Sequence, residues 1–231
     1  MKFRTKKLRL IFALLILSDS SLLYAESFPA VEVYQKTSKA VVLIVTQTEG
    51  KRHMVGAGSI ISDSGIIVTN SHVVIDEDTL KPYPNILVYL KPDKVTGNLS
   101  HDLVNGYSAE VLAFDTDFDL AILKVKNLPA ITGVIELANP EEIAIGEEVV
   151  AIGHPEQGGL WTLTSGRISG EILNQNNIMG KDVFQTDTSL NRGDSGGPLL
   201  DRRGYMVGIN SNIARLSSGN LPITGVNFAI K

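Results

Sequence analysis

The chain has 231 residues, 43% of them apolar and 6% aromatic, with 21 glycines, no cysteine and a formal charge of −4 at pH 7. That length holds one domain or two small ones with a core large enough to need no cross-links. The missing cysteines exclude disulfides, a thiolate zinc site and a cysteine nucleophile.

Residues 1–25 read as a targeting segment. Lys2, Arg4, Lys6, Lys7 and Arg9 precede the apolar run 10–17, and Ala25 closes a polar stretch. Cleavage is placed after Ala25, although Leu23 is larger than the small residue usual at that position. Eight apolar residues fall well short of the roughly 20 a spanning helix needs, so the product is expected to be exported, periplasmic or secreted, and not stably inserted in a membrane. The leader takes five basic residues and one acidic residue with it, which lowers the charge from −4 to −8. An acidic export product without a basic-aromatic patch argues against nucleic acid as a partner.

After a short helix predicted over 30–36, where Val31, Tyr34 and Gln35 give a partial apolar face, the pattern is of strands. Runs at 40–46, 59–61, 66–69, 86–90, 109–114 and 120–125 are rich in Val and Ile and bounded by Gly, Asp, Asn or Pro. The polar stretch 91–107 is longer than most hairpin connections and reads as an exposed loop or extended hairpin. Residues 127–147, with Pro129 and Pro140 and no steady period, read as a linker. A second strand set follows at 148–152, 160–169, 183–186, 198–200, 205–210 and 225–230. The expectation is an all-β chain of two antiparallel barrels, 26–126 and 148–231, with a site in the cleft between them.

Chemistry concentrates at three places. Ser195 lies in N-R-G-D-S-G-G-P-L, where Gly193, Gly196 and Gly197 allow positive φ and close approach, so that a hydroxyl and neighbouring N–H groups can face one spot. A serine needs a base and an orienting carboxylate. His72 follows an apolar strand in T-N-S-H-V-V, and Asp119 opens one in D-F-D-L-A-I-L-K-V. Asp115 and Asp117 are alternatives for the acid, more simply read as solvated turn residues. Ser195 as an ordinary turn serine, and a non-catalytic peptide-binding module, are the competing readings. His53, His101 and His154 read as loop or surface histidines, and Trp161 either as a packing residue or as part of a loop that lines the site. No metal motif occurs, and no cofactor is called for.

With these residues in the order His, Asp, Ser, the chain resembles the trypsin-like serine proteases, and most closely their bacterial HtrA/Deg branch. The matching elements are G-A-G-S-I-I-S, T-N-S-H-V-V, D-L-A-I-L-K-V, A-I-G-H-P, Q-T-D-T-S-L-N-R-G-D-S-G-G-P-L, V-G-I-N-S and G-V-N-F-A-I, in the family's order from Val41 onward. The resemblance implies two six-stranded barrels of the chymotrypsin type and a Ser195–His72–Asp119 triad. It also implies an oxyanion hole from the backbone N–H groups of Gly193 and Ser195.

It places Ser189 at the base of the first specificity pocket, followed by Leu190. With no carboxylate there, cleavage after small or aliphatic residues is expected. Ile209, Asn210 and Ser211 are expected to pair with extended substrate, favouring unfolded polypeptide. Relatives of this type commonly form trimers through N-terminal aromatic residues, a role open to Phe28 and Tyr34. Two positions depart from the branch: Arg192 replaces a usual Pro and Asp194 a usual Asn, with Arg192 the nearest cation for a buried Asp194.

Overall fold

The computed structural model describes residues 27–47, 53–129, 133–211 and 225–231, so the expected leader and its cleavage site lie outside the described residues. Helix α1 (Ala30–Thr37) is followed by two closed six-stranded barrels. The first runs β1 (Val41–Gln47), β2 (His53–Ser62), β3 (Ile66–Thr69), β8 (Leu120–Val125), β7 (Gly106–Asp115) and β6 (Asn85–Leu90) around its circumference. Between β3 and β6 lie the short helix α2 (Ser71–Val74) and a two-stranded sheet of β4 (Ile75–Asp76) and β5 (Lys81–Pro82). The second barrel runs β10 (Thr162–Ile172), β11 (Val183–Thr186), β14 (Asn227–Ile230), β13 (Met206–Ser211), β12 (Pro198–Leu200) and β9 (Glu148–Gly153). All ladders within the barrels are antiparallel, and closure removes free sheet edges.

The side-chain period of two explains the packing. On β8, Ala121, Leu123 and Val125 are buried while Ile122 is exposed. Strand β9 is buried on both faces: Val149 and Ala151 point into the second barrel's core, and Val150 and Ile152 join the cluster that fills the first. One apolar mass therefore runs through the barrel–barrel contact.

Strand β2 begins at His53, six residues before the expected start, because Gly56 and Gly58 serve close packing rather than a turn. A Cβ on Gly58 would come within 2.8 Å of Ile67 and 2.9 Å of Ile44. The stretch 91–107 is not a bare loop. It holds helix α3 (Leu99–Asp102), with Asn98 capping the Ser100 N–H and Asp102 accepting from the Thr96 and Gly97 N–H groups. The connection between the barrels is tied to both, since the Ile135 N–H bonds Ile60 O and the Met206 N–H bonds Glu136 O.

Candidate active site

Strand β3 delivers the chain to α2, and the turn between them is fixed from below. Thr69 Oγ donates to Ala57 O at 2.7 Å and Asn70 Nδ2 to Asp119 O at 2.9 Å. His72 follows on α2. Opposite it, the β7–β8 turn is shaped by Asp115, whose Oδ1 accepts the N–H groups of Asp117 and Phe118, both at 2.9 Å. Asp119 then adopts φ 59°, a left-handed conformation that an aspartate tolerates but does not favour.

That conformation brings the Asp119 carboxylate onto His72. Nδ1 of the ring lies 2.9 Å from Oδ1 and 3.0 Å from Oδ2, and the His72 N–H donates to Oδ1 at 3.1 Å. Two hydroxyls complete the shell: Ser71 Oγ at 3.1 Å and Ser211 Oγ at 3.0 Å. Burial by itself would raise the carboxyl pKa, but the His72 ring, the His72 N–H and the Ser211 hydroxyl together outweigh it and hold Asp119 below the ordinary carboxylate range. The acid is thus ionised and stands as an acceptor in front of Nδ1. Asp115 and Asp117 do not reach His72; one shapes the turn and the other contributes backbone to it.

Ser195 sits in the turn between β11 and β12, buried with 4% of its surface exposed. Its carbonyl accepts the Ala57 N–H at 2.8 Å, and the following residues are stitched to β13 by Gly196 N–H to Asn210 O and Asn210 N–H to Gly197 O. Gly193 has φ +92°, and a Cβ there would stand 2.1 Å from His154 O. The Arg192 carbonyl accepts the Glu156 N–H at 2.7 Å. In a planar trans peptide C=O and N–H point opposite ways, so this bond turns the Gly193 N–H toward the other side of the loop. Asp194 is buried over Gly153 and accepts the Asn191 N–H at 2.8 Å. Arg192 is exposed and holds the loop through its carbonyl rather than by pairing with Asp194.

The specificity residues fall less neatly. Ser189 is exposed and its carbonyl accepts Thr164 Oγ at 2.9 Å, whereas Leu190 is buried among the second barrel's core residues and packs there. Ile209, Asn210 and Ser211 form the end of β13. They pair with β14 on one side, and Asn210 bonds both Gly196 and Gly197 on the other. Ser211 instead reaches Asp119 through its hydroxyl. Asn210 is buried and donates to Pro198 O at 3.0 Å.

His154 is not a surface histidine. It is 3% exposed, its ring meets Trp161 edge-on at 4.9 Å, and its Nδ1 accepts the Trp161 N–H at 3.1 Å. Burial pushes its pKa down to about 4, so it is neutral at pH 7. Trp161 is buried, with Nε1 donating to Val41 O at 2.8 Å. His101 lies on α3 and is exposed; the His53 side chain is outside what is described. Beside His72 opens a cavity of about 360 Å³ lined by Ser71, Ile75, Glu77, Leu80, Thr116 and Asp119. Among the described residues no His, Asp and Glu side chains are grouped to hold a metal ion.

The Ser71 and Ser211 hydroxyls were not foreseen as ligands of Asp119. Ser71 directly precedes His72, which is a signal of sorts, but Ser211 lies 92 residues from Asp119 and only the fold reveals it.

A family model for the trypsin-like peptidase domain matches residues 56–209. Curated relatives include two proteins named probable periplasmic serine endoprotease DegP-like. That of Chlamydia muridarum is 36% identical over 180 residues, covering 76% of this chain and 31% of the relative. That of Halomonas elongata is 39% identical over 186 residues, covering 78% and 33%. Among solved structures, the HtrA-type protease AlgW with a tripeptide superposes with TM-score 0.69 at 28% identity, covering 87% of this chain and 59% of that one. The serine endoprotease from Yersinia pestis gives 0.64 at 31% identity, covering 87% and 61%. The chain spans about a third of the length of these curated relatives.

Proposed function

Because the chain belongs to the trypsin-like peptidase family, in its HtrA-type branch, we propose that it is an exported serine endopeptidase, active in the periplasm, that hydrolyses peptide bonds in unfolded or extended polypeptides. The observation that carries this reading is the Asp119 carboxylate seated on His72 Nδ1, with three further donor groups fixing its aim.

In the reaction Ser195 Oγ attacks the substrate carbonyl carbon while its proton passes to His72 Nε2. Asp119 fixes the tautomer and stabilises the imidazolium that forms. The carbonyl oxygen becomes an oxyanion, and the N–H groups of Gly193 and Ser195 are the donors assigned to it; the Glu156 to Arg192 bond supports this by turning the Gly193 N–H away from Arg192 O. The imidazolium then returns its proton to the leaving amine. Water, deprotonated by the same ring, releases the acyl-enzyme, and Ser195 recovers its proton.

Specificity rests on fewer observations. Ser189 brings a hydroxyl and no charge, which favours a small or aliphatic side chain before the cut and disfavours Arg or Lys. Export rests on the basic-then-apolar leader and on the periplasmic names of the relatives. Casein digestion tests the reading. The wild-type protein should degrade casein and Ser195→Ala should not, with cut sites after Val, Ile, Leu or Ala. Cleavage by both proteins at one rate would sink it.

A further inference from the structure

The β10–β11 connection belongs to the second barrel, yet its end crosses to the first. Lys181 is only 6% exposed, and its ammonium donates to the Asp117 carbonyl at 2.6 Å, across 64 residues of sequence. Beside it, Gly180 faces the Phe118 ring across a gap that an added Cβ would fill, at 3.7 Å from Cζ. Residues 117 and 118 are the two that precede Asp119.

The segment carrying Lys181 is braced. Gln175 N–H bonds Lys181 O at 2.7 Å and Lys181 N–H bonds Ile178 O at 3.1 Å. Asn174 is bonded at both ends, its Oδ1 accepting the Gly180 N–H and its N–H donating to Asp182 Oδ1. The turn it touches is held from inside by the Asp115 carboxylate, which takes the N–H groups of Asp117 and Phe118. The ammonium takes the opposite face of the same turn, the Asp117 C=O. A lysine buried along its length gives up rotamer freedom and needs an acceptor for its ammonium, which the Asp117 carbonyl supplies. Its position is explained by what it holds. Asp119 needs a left-handed φ of 59° that its own local preferences oppose, and a turn fastened on both faces enforces that φ.

We propose that Lys181 is a positioning residue for the hydrolytic reaction, clamping the Asp117 carbonyl from the other barrel so that Asp119 keeps the left-handed conformation that aims its carboxylate at His72. The proposal rests on the triad reading above. It adds a dependence of that triad on the second barrel beyond the Ser211 hydroxyl.

The test compares wild type, Lys181→Met, Lys181→Arg and Asp119→Asn, each first shown to be folded by circular dichroism and thermal melting. A peptide substrate gives kcat and KM, and a fluorophosphonate gives the rate of serine modification without peptide binding. Lys181→Met should lower kcat about 10- to 10²-fold, as small misplacements in active sites do, with KM within about twofold and the fluorophosphonate rate falling by a like factor. Lys181→Arg, which keeps a buried cationic donor, should recover most of the loss. Should Lys181→Met fail to fold, Lys181→Gln, a shorter neutral donor, takes its place with the same expected direction. The clamp is refuted by an unchanged kcat in the folded variant, by a loss confined to KM, or by an Arg variant no better than the Met one. If Asp119→Asn is severely impaired and Lys181→Met is not, the clamp alone fails; if Asp119→Asn is itself fully active, the triad reading fails with it.

Discussion

At the scale of single residues, the account turns on Ser195, His72 and Asp119. Ser195→Ala should lower kcat by about 10⁶ while leaving the melting temperature near that of wild type, because it removes a hydroxyl and no packing. Asp119→Asn should cost about 10⁴, since an amide NH₂ opposite Nδ1 favours the wrong tautomer. Asp115→Asn keeps an oxygen able to accept the two turn N–H groups, and Asp117→Asn leaves the backbone carbonyl that Lys181 holds, so both should stay within about tenfold of wild type on the same peptide assay. A severe Asp115→Asn and a mild Asp119→Asn would mean that the orienting acid has been misplaced. These three residues could be named from the sequence because each lies in a short motif at or near a strand end. The hydroxyls of Ser71 and Ser211 and the ammonium of Lys181 could not. Ser71 meets Asp119 within the first barrel, where its place beside His72 is the one local signal, and Ser211 and Lys181 meet the Asp119 turn only once the second barrel packs against it.

Among the elements, the turn 191–197 leaves no room for a side chain at Gly193. Gly193 combines φ +92° with a carbonyl, that of His154, where a Cβ would fall. Gly193→Ala should therefore displace the loop and lower kcat about 10²- to 10³-fold, the loss typical of a missing oxyanion donor, while the barrels still fold. Measuring kcat and the far-ultraviolet circular dichroism of the variant checks this; a wild-type kcat would mean that the Gly193 N–H has no part in the reaction. Most strands could be read from Val and Ile runs, and β3, β8, β11 and β12 have the expected bounds. The first half of β2 was missed, since glycines placed for close packing look in sequence like glycines placed for a turn. The partners of Ile209 and Asn210 were not legible either, because which segments flank a strand, here β14 and the Ser195 turn, is settled by the fold.

For the whole molecule, the contact between barrels contains a titratable group. His154 links Trp161, whose indole bonds β1 of the first barrel, to the Gly193 loop of the second. Its folded pKa of about 4 lies below the ordinary 6.5, so between these values the unfolded chain binds the extra proton and stability falls as pH falls. The contribution is complete above about pH 6.5, shrinks toward pH 4, and amounts to on the order of 3 kcal/mol over that window. Asp119, held below the carboxylate range, adds its own loss only at still lower pH. Urea unfolding of the Ser195→Ala protein at pH 7.5, 6, 5 and 4 should show this slope, and adding His154→Gln should flatten it between 6.5 and 4. Equal slopes would place the acid sensitivity elsewhere. The burial of His154 was not legible in A-I-G-H-P, because it arises from a barrel that approaches from a hundred residues away.

The central claim, that Ser195 is a nucleophile activated by His72 and Asp119, is tested most directly by fluorophosphonate labelling followed by intact mass and peptide mapping. The wild-type chain should take up one label, on Ser195; Ser195→Ala should take up none, and Asp119→Asn should react far more slowly. No label on folded wild-type protein, or a label on another residue, would contradict the account.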